Sequence, residues 1–376
     1  MKYSIEIGKI VEGALKHDQT KVVNYTKQLI AKLEEDNEVR SANKFSKLLS
    51  AQSAATLSAM GVRKELSIPV DSESRAVLAD IVYPDDNNIN VILSRQNSEN
   101  LKSFILSYKN ADKLNSLGIG VSNTLLLYGP PGCGKTQCAY LIARELNLPL
   151  LIARLDSLIS SYLGTTAKNI RMLFEFAQKM PCVLFLDEFD AIAKARDDSN
   201  ELGELKRVVN SLLQNVDAMS SDSLLVAATN HEKLLDFAVW RRFEYKLRIE
   251  LPDTDAIVEM IDLFSKGNHN LSTKEKRELA TAFTGLSGAN IEEIILKAIR
   301  NAVINESQVS KAGFYDELFS FKDVIPQNCS SEKTILKAKA RFLRECNDKV
   351  FSLQVIADIL GSSKTTISKL VKEADE

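Results

Sequence analysis

The chain lacks any run of 18 or more apolar residues, so hydropathy offers no helix able to span a membrane. Its opening, "MKYSIEIGKIVEG", holds no long apolar stretch of the kind a leader requires. The two absences lead to the expectation of a cytoplasmic protein with no membrane partner. An excess of one charge is also missing: 48 Lys and Arg stand against 50 Asp and Glu, which leaves no whole-molecule field to draw nucleic acid or an anionic surface. Any such contact has to be local. Cysteine is scarce, and Cys133, Cys138, Cys182, Cys329 and Cys346 fall at no metal-ligand spacing, which argues against a disulfide scaffold or a structural zinc and for reduced thiols. The zinc-peptidase pattern H-E-x-x-H is absent, so zinc-dependent proteolysis by this chain is not expected. No internal repeat and no low-complexity tract occurs. What the chain does have is 45% apolar residues over 376 positions, enough for two or three ordinary cores.

Those apolar residues are arranged differently along the chain. Residues 1–65 contain no proline and place Val22, Tyr25, Leu29 and Leu33 at helical spacing, which predicts a small N-terminal helical domain. A segment rich in Asp, Asn and Ser follows, "SIPVDSESRAV" to "YPDDNNIN", and 66–89 reads as a linker. Over 90–252 the runs "TLLLYG", "PLLIARL", "CVLFLDEFD", "SLLVAATN" and "YKLRIEL" alternate with amphipathic stretches. That alternation predicts an α/β domain built on a parallel sheet. Residues 253–325 read as purely helical, and after "DVIPQNCSSEK" a last helical segment closes the chain, giving a separate C-terminal piece at 326–376.

Chemistry concentrates in the α/β part. "GPPGCGKT" has the spacing G-x-x-x-x-G-K-[ST] and lies between a strand and the helical "QCAYLIAREL", the context a phosphate-binding loop requires. The loop runs Gly129, Pro130, Pro131, Gly132, Cys133, Gly134, Lys135, Thr136 and Gln137. Its glycines let amides turn inward around phosphate oxygens, Lys135 reaches the β and γ phosphates, and Thr136 coordinates Mg²⁺. ATP with Mg²⁺ is the expected cofactor pair. Cys133 is either a small filler or a thiol acidified by the positive field of the loop. The strand "CVLFL" delivers Asp187 and Glu188 at its carboxyl end, where ligands sit in open α/β sheets. Asp187 suits Mg²⁺, Glu188 suits a general base acting on water, and Asp190 is either part of the site or a helix cap. "LLVAATN" brings Asn230 to the same kind of strand end, to orient water or to make a turn. Arg241 and Arg242 in "WRRF" decorate an edge strand or reach a neighbouring subunit's ATP.

Five motifs in order over about residues 90–305 resemble the AAA family of the AAA+ ATPases: "GPPGCGKT" as Walker A, "VLFLDEFDA" as Walker B, "AATN" as sensor 1, "LLDFAVWRRF" as the arginine-finger region and "FTGLSGANIEEII" as the sensor 2 segment. The resemblance implies a P-loop NTPase sheet with a helical AAA lid, flanked here by all-α segments. It implies a homo-oligomeric ring, usually a hexamer, with Arg241 or Arg242 completing a neighbour's site, and it implies nucleotide contacts at Gly288 and Ala289. Where the family often has Asp, this chain has Asn290. Tyr162, Leu163 and Gly164 in "SLISSYLGTTAKNIRMLFEFAQ" occupy the place of the family's pore loop, which implies a grip on an extended polypeptide. A protein client follows, with an adaptor or a separately encoded protease as a further partner.

The tail "SLQVIADILGSSKTTISKLVKEA" has a second shape. Ala357, Gly361 and Ile367 fall where a helix-turn-helix needs a small residue, a turn glycine and an apolar anchor, and Lys364, Thr365, Thr366 and Ser368 would face outward. Two functions are therefore open: ATP-driven remodelling of a protein client, or ATP-dependent regulation through DNA bound by the tail.

Overall fold

The computed structural model describes residues 3–16, 18–59, 68–71, 74–83, 91–159, 163–193, 202–219, 223–325 and 331–372. It divides into two compact units. The first opens with three helices, α1 (Ser4–Leu15), α2 (Gln19–Glu35) and α3 (Val39–Ala59). Tyr25, Leu29 and Leu33 repeat every four residues along α2 and are buried, and Leu29 and Leu33 form a small core with Ala42 of α3, against which Tyr3, Ile7, Ile10 and Phe45 pack. Charges are taken inside as well: Glu6, 1% exposed, accepts from Lys32 Nζ at 2.6 Å, and Lys21 Nζ reaches Glu12 at 2.9 Å. Both pairs join α1 to α2.

Residues 68–83 do not act as a linker, contrary to their composition. Asp71 accepts from the backbone and hydroxyl of Ser74, Leu78 N–H donates to the Pro69 carbonyl, and the turn delivers β1 (Ala79–Val82) to the sheet. Buried Asn169 donates to Asp71 Oδ1 at 3.0 Å and fixes the turn from across the fold. After β1 come α4 (Arg95–Lys109), α5 (Ala111–Ser116), β2 (Thr124–Tyr128), α6 (Lys135–Glu145), β3 (Leu150–Ala153), α7 (Leu155–Leu158), α8 (Leu163–Ala177), β4 (Val183–Leu186), α9 (Asp190–Ala193), α10 (Leu202–Asp217), β5 (Leu224–Thr229), α11 (Phe237–Trp240) and β6 (Tyr245–Arg248). The sheet order is β1-β3-β4-β5-β2-β6, parallel throughout except for antiparallel β1 at the edge. β4 and β5 are buried at every position, which is why they read as unbroken apolar runs, whereas β6 at the other edge alternates. Each fully buried Leu or Phe here contributes about 1.5–3 kcal/mol over exposure.

The second unit holds α12 (Thr254–Ser265), α13 (Thr273–Ala282), α14 (Gly288–Ile304), α15 (Lys311–Phe321), α16 (Glu332–Cys346), α17 (Leu353–Leu360) and α18 (Lys364–Lys372). Composition divides this region at residue 326, but the core does not respect that division. Ile257, Phe283 and Ile294 of the first helices share one buried cluster with Leu343, Phe351, Ile356 and Ile367 of the last. The turn-rich stretch breaks the helical periodicity without ending the hydrophobic core.

Candidate nucleotide site

Strand register assembles the site. Tyr128 lies opposite Thr229, and Leu186 lies opposite Ala227, so β2, β5 and β4 release their next residues at one edge of the sheet. Those residues are Gly129, Asn230 and Asp187, where a parallel sheet presents ligands. Gly129, Gly132 and Gly134 have φ of 136°, 73° and 92°, values that side chains disfavour, and together they curl the loop. Lys135 opens α6 with its side chain buried, its Nζ donating to the Gly129 carbonyl at 2.8 Å. Exposed Gln137 follows in the first turn of α6.

Thr136 Oγ1 donates to Asp187 Oδ2 at 2.8 Å, and Asp187 Oδ1 accepts the Glu188 amide at 2.9 Å. Glu188 is exposed and adopts φ 47°, in the left-handed region, while the next residue, Phe189, is fully buried with its amide on the Ala228 carbonyl. The backbone twist thus turns the carboxylate outward between two anchored neighbours. Asp190 Oδ1 accepts from Thr229 Oγ1 at 2.7 Å, which ties the end of β4 to the end of β5. Nothing in the local sequence announces that pair, because its partners are 39 residues apart. Asn230 is half-buried and makes no side-chain hydrogen bond among the described residues.

The two arginines have unequal surroundings. Arg242 Nε and Nη2 grip Asp217 in a bidentate pair at 2.9 Å each, and Nη1 donates to the Ala238 carbonyl. Arg241 is exposed, with no ion pair or side-chain hydrogen bond among the described residues. Their segment is held from below by Trp240 against Tyr128 and by Phe243 against Phe189, both edge-on. Phe237 of the same segment is left 75% exposed.

The loop tip, residues 130–134, belongs to the second unit. There the Gly132 carbonyl accepts from Ala289 N–H at 3.0 Å, and a Cβ on Gly132 would lie 2.7 Å from Ser287 Oγ. Gly288 is buried beside the Gly132 carbonyl. Asn290 completes a capping box with Ser287, its side-chain oxygen accepting from the Ser287 amide and hydroxyl, so a neutral amide serves the local structure where the family often has a carboxylate. Pro130 and Pro131 shape the same tip, and Cys133 Sγ points at the Pro131 carbonyl, 3.7 Å away. Cys138 and Cys182 are buried thiols, both pushed up to about 12 by desolvation. Leu163 and Gly164 begin α8, while Tyr162 lies outside the described residues.

A glycine-curled loop closed by a buried lysine, a hydroxyl on a strand-end aspartate and an outward glutamate define a nucleotide-hydrolysing P-loop site. The family model described as "ATPase family associated with various cellular activities (AAA)" matches residues 125–251. The uncharacterized AAA family ATPase y4kL of Sinorhizobium fredii is 44% identical over 243 residues, spanning 64% of this chain and 73% of that protein. The proteasome-activating nucleotidase of Methanococcus maripaludis is 30% identical over 272 residues, spanning 70% and 67%. In fold, the FIGL-1 AAA domain crystallised with ADP is similar at a TM-score of 0.54 and 23% identity, over 70% of this chain and 91% of that one. The chain belongs to the AAA family of ATPases; it binds nucleotide and hydrolyses ATP. No helix among the described residues is long and apolar enough to cross a membrane.

Proposed function

We propose that this ATPase remodels or unfolds a protein client as a homo-oligomeric ring, a hexamer by family analogy, in which Arg241 of each copy completes the nucleotide site of its neighbour. The observation that carries this reading is the contrast between the arginines. Arg242 is spent on Asp217 and Ala238, whereas Arg241 stands exposed beside an exposed Phe237. An exposed apolar residue next to an uncommitted cation suits a subunit interface. Arg241 is the finger, and Arg242 is its brace.

Within one copy, the chain's own groups divide the work. The loop amides and Lys135 would hold the β and γ phosphates, and Thr136 with Asp187 would hold Mg²⁺, which supplies neutralisation of phosphate charge. The residues fit these groups: a Cβ at Gly134 would meet only open space, and a hydroxyl and a carboxylate are hard oxygen donors suited to Mg²⁺. Glu188 takes the proton from the attacking water, and Asn230 orients that water. Tyr162, Leu163 and Gly164 contact the extended client in the pore. The name of the archaeal relative, a proteasome-activating nucleotidase, supports a protein client and a separately encoded protease or adaptor as partner. The DNA-directed alternative rests on the C-terminal helices alone and does not compete for this site.

The direct test is Tyr162→Ala, assayed on a fluorescent protein carrying an unstructured tail. Unfolding of the reporter is expected to stop while ATP turnover stays within about twofold, since pulling and hydrolysis use different residues. Undiminished unfolding overturns the pulling mechanism.

A further inference from the structure

From the last two helices we infer that this chain carries a surface for double-stranded DNA, with α18 as the element that enters the major groove. The inference stands apart from the proposed remodelling activity. It starts from the turn between α17 and α18. Gly361 has φ 62° and ψ 34°, and the amides of Gly361 and Ser362 both donate to the Ala357 carbonyl, which ends α17 abruptly. Two residues later Ser363 caps α18 by accepting the Thr366 amide at 3.1 Å, and its hydroxyl lies 2.8 Å from those of Thr365 and Thr366. Ala357 and Ile367 are buried at 1% and 0% exposure, so a small residue and an apolar anchor hold the two helices together. This is a helix-turn-helix, with α16 packed against both members.

What α18 leaves outside decides its partner. Ile367 and Leu370 are buried, whereas Lys364, Thr365, Lys369 and Lys372 are exposed and Ser368 half-exposed on the opposite stripe, spaced at one, four, five and eight residues. An apolar partner is poorly served by such a face. It carries three cations, hydroxyls able to donate or accept, and no carboxylate within the helix. Lys364, Lys369 and Lys372 form no ion pair among the described residues. Residues 331–372 hold nine basic and four acidic side chains, and the acidic residues that lower the tail's net charge, Glu373, Asp375 and Glu376, follow after α18. Of the acids in the helices, Asp358 is engaged by Gln354 of its own helix. From Lys364 to Lys372 the helix runs about 12 Å, the width of the B-form major groove. Lysines then meet phosphates, and Thr365 and Ser368 reach base edges.

The experiment uses the full chain and fluorescein-labelled 30-base-pair duplex DNA in anisotropy titrations from 50 to 200 mM salt. Lys364→Ala/Lys369→Ala/Lys372→Ala should weaken binding by about 10- to 100-fold and flatten the plot of log affinity against log salt by about two to three units. A charge-matched control, Lys102→Ala/Lys113→Ala/Lys179→Ala, should bind as the parent does, and both variants should keep parental ATP turnover as proof of folding. An RNA duplex of the same sequence should bind more weakly, since its A-form major groove is too narrow for a helix. The inference is overturned if the parent fails to bind duplex DNA at 50 mM salt, which leaves α18 as a protein-binding helix. It is equally overturned if both triple variants lose the same affinity, or if the RNA duplex binds as well as DNA.

Discussion

At the end of β4, the backbone of Glu188 is held against its own preference, with φ 47°. A left-handed φ in a non-glycine residue costs about 1–2 kcal/mol, yet both neighbours are pinned, Asp187 by Thr136 and Phe189 by Ala228. The cost is offset by these anchors, and the result is a carboxylate aimed away from the sheet. Glu188→Gln keeps the shape and removes the basicity. Phosphate release should fall by about 10²–10⁴-fold while nucleotide titration shows unchanged affinity. Arg241→Ala should lose hydrolysis as well, but for a different reason, since in the proposed ring the residue serves another copy. Mixing the two inactive variants is then informative: an intact Glu188 in one copy meets an intact Arg241 in the next, and turnover should partly return. A mixture as inactive as its parts would remove the shared site. Arg242→Ala should behave differently again, lowering the urea midpoint by the equivalent of about 1 kcal/mol through loss of the Asp217 pair.

At the scale of elements, legibility in the sequence followed burial. β2, β4 and β5 could be read directly because they are covered on both faces and so are apolar throughout, and the loop and acidic pair could be read because their chemistry lies at fixed offsets from those strands. β1 was not readable. It has four residues, two of them half-buried, and sits among turn formers, so its place is set by pairing with β3 rather than by its own pattern. Arg242 with Asp217 and Asp190 with Thr229 were invisible for a related reason, being contacts between residues 25 and 39 positions apart. The C-terminal helices were legible as two helices about a glycine turn but not as part of one core with α12 to α15. Their removal therefore has a structural consequence. A chain ending at residue 330 would lose Leu343, Phe351, Ile356 and Ile367 from a shared cluster and strip Phe351 from Tyr315 and Phe342 from Phe319. At about 1.5–3 kcal/mol for each buried side chain, that loss rivals a domain's whole stability of about 5–15 kcal/mol. Calorimetry of the truncated chain should show the transition of the second unit abolished or moved far down in temperature. An unchanged transition would mean that the tail is a separate module after all.

Over the whole molecule the charges nearly cancel, so acid sensitivity comes from particular carboxylates rather than from net repulsion. Among the described residues, Glu12, Asp262 and Glu275 titrate low. Glu12 is lowered to about 2 by hydrogen bonds from Lys16 and Lys21, with Lys9 adding to the field. Burial pushes Asp262 up, but hydrogen bonds from Lys276 and His269 outweigh it and the net shift is downward. Glu275 is lowered by the Ser272 amide and hydroxyl of its capping box. In each case the folded state releases the proton more readily than the unfolded chain does. Folding is therefore favoured when these groups are ionised, and that contribution is complete above the ordinary carboxylate range. As pH falls it is lost, for Glu12 across the window from about 4.5 down to about 2. Urea midpoints of the full chain should accordingly decline over that interval. Glu12→Gln should lower the midpoint at pH 6 and differ progressively less from the parent as acid is added, with the two curves meeting near pH 2. A gap that persists undiminished at pH 2 would show that Glu12 acts through packing and not through its charge.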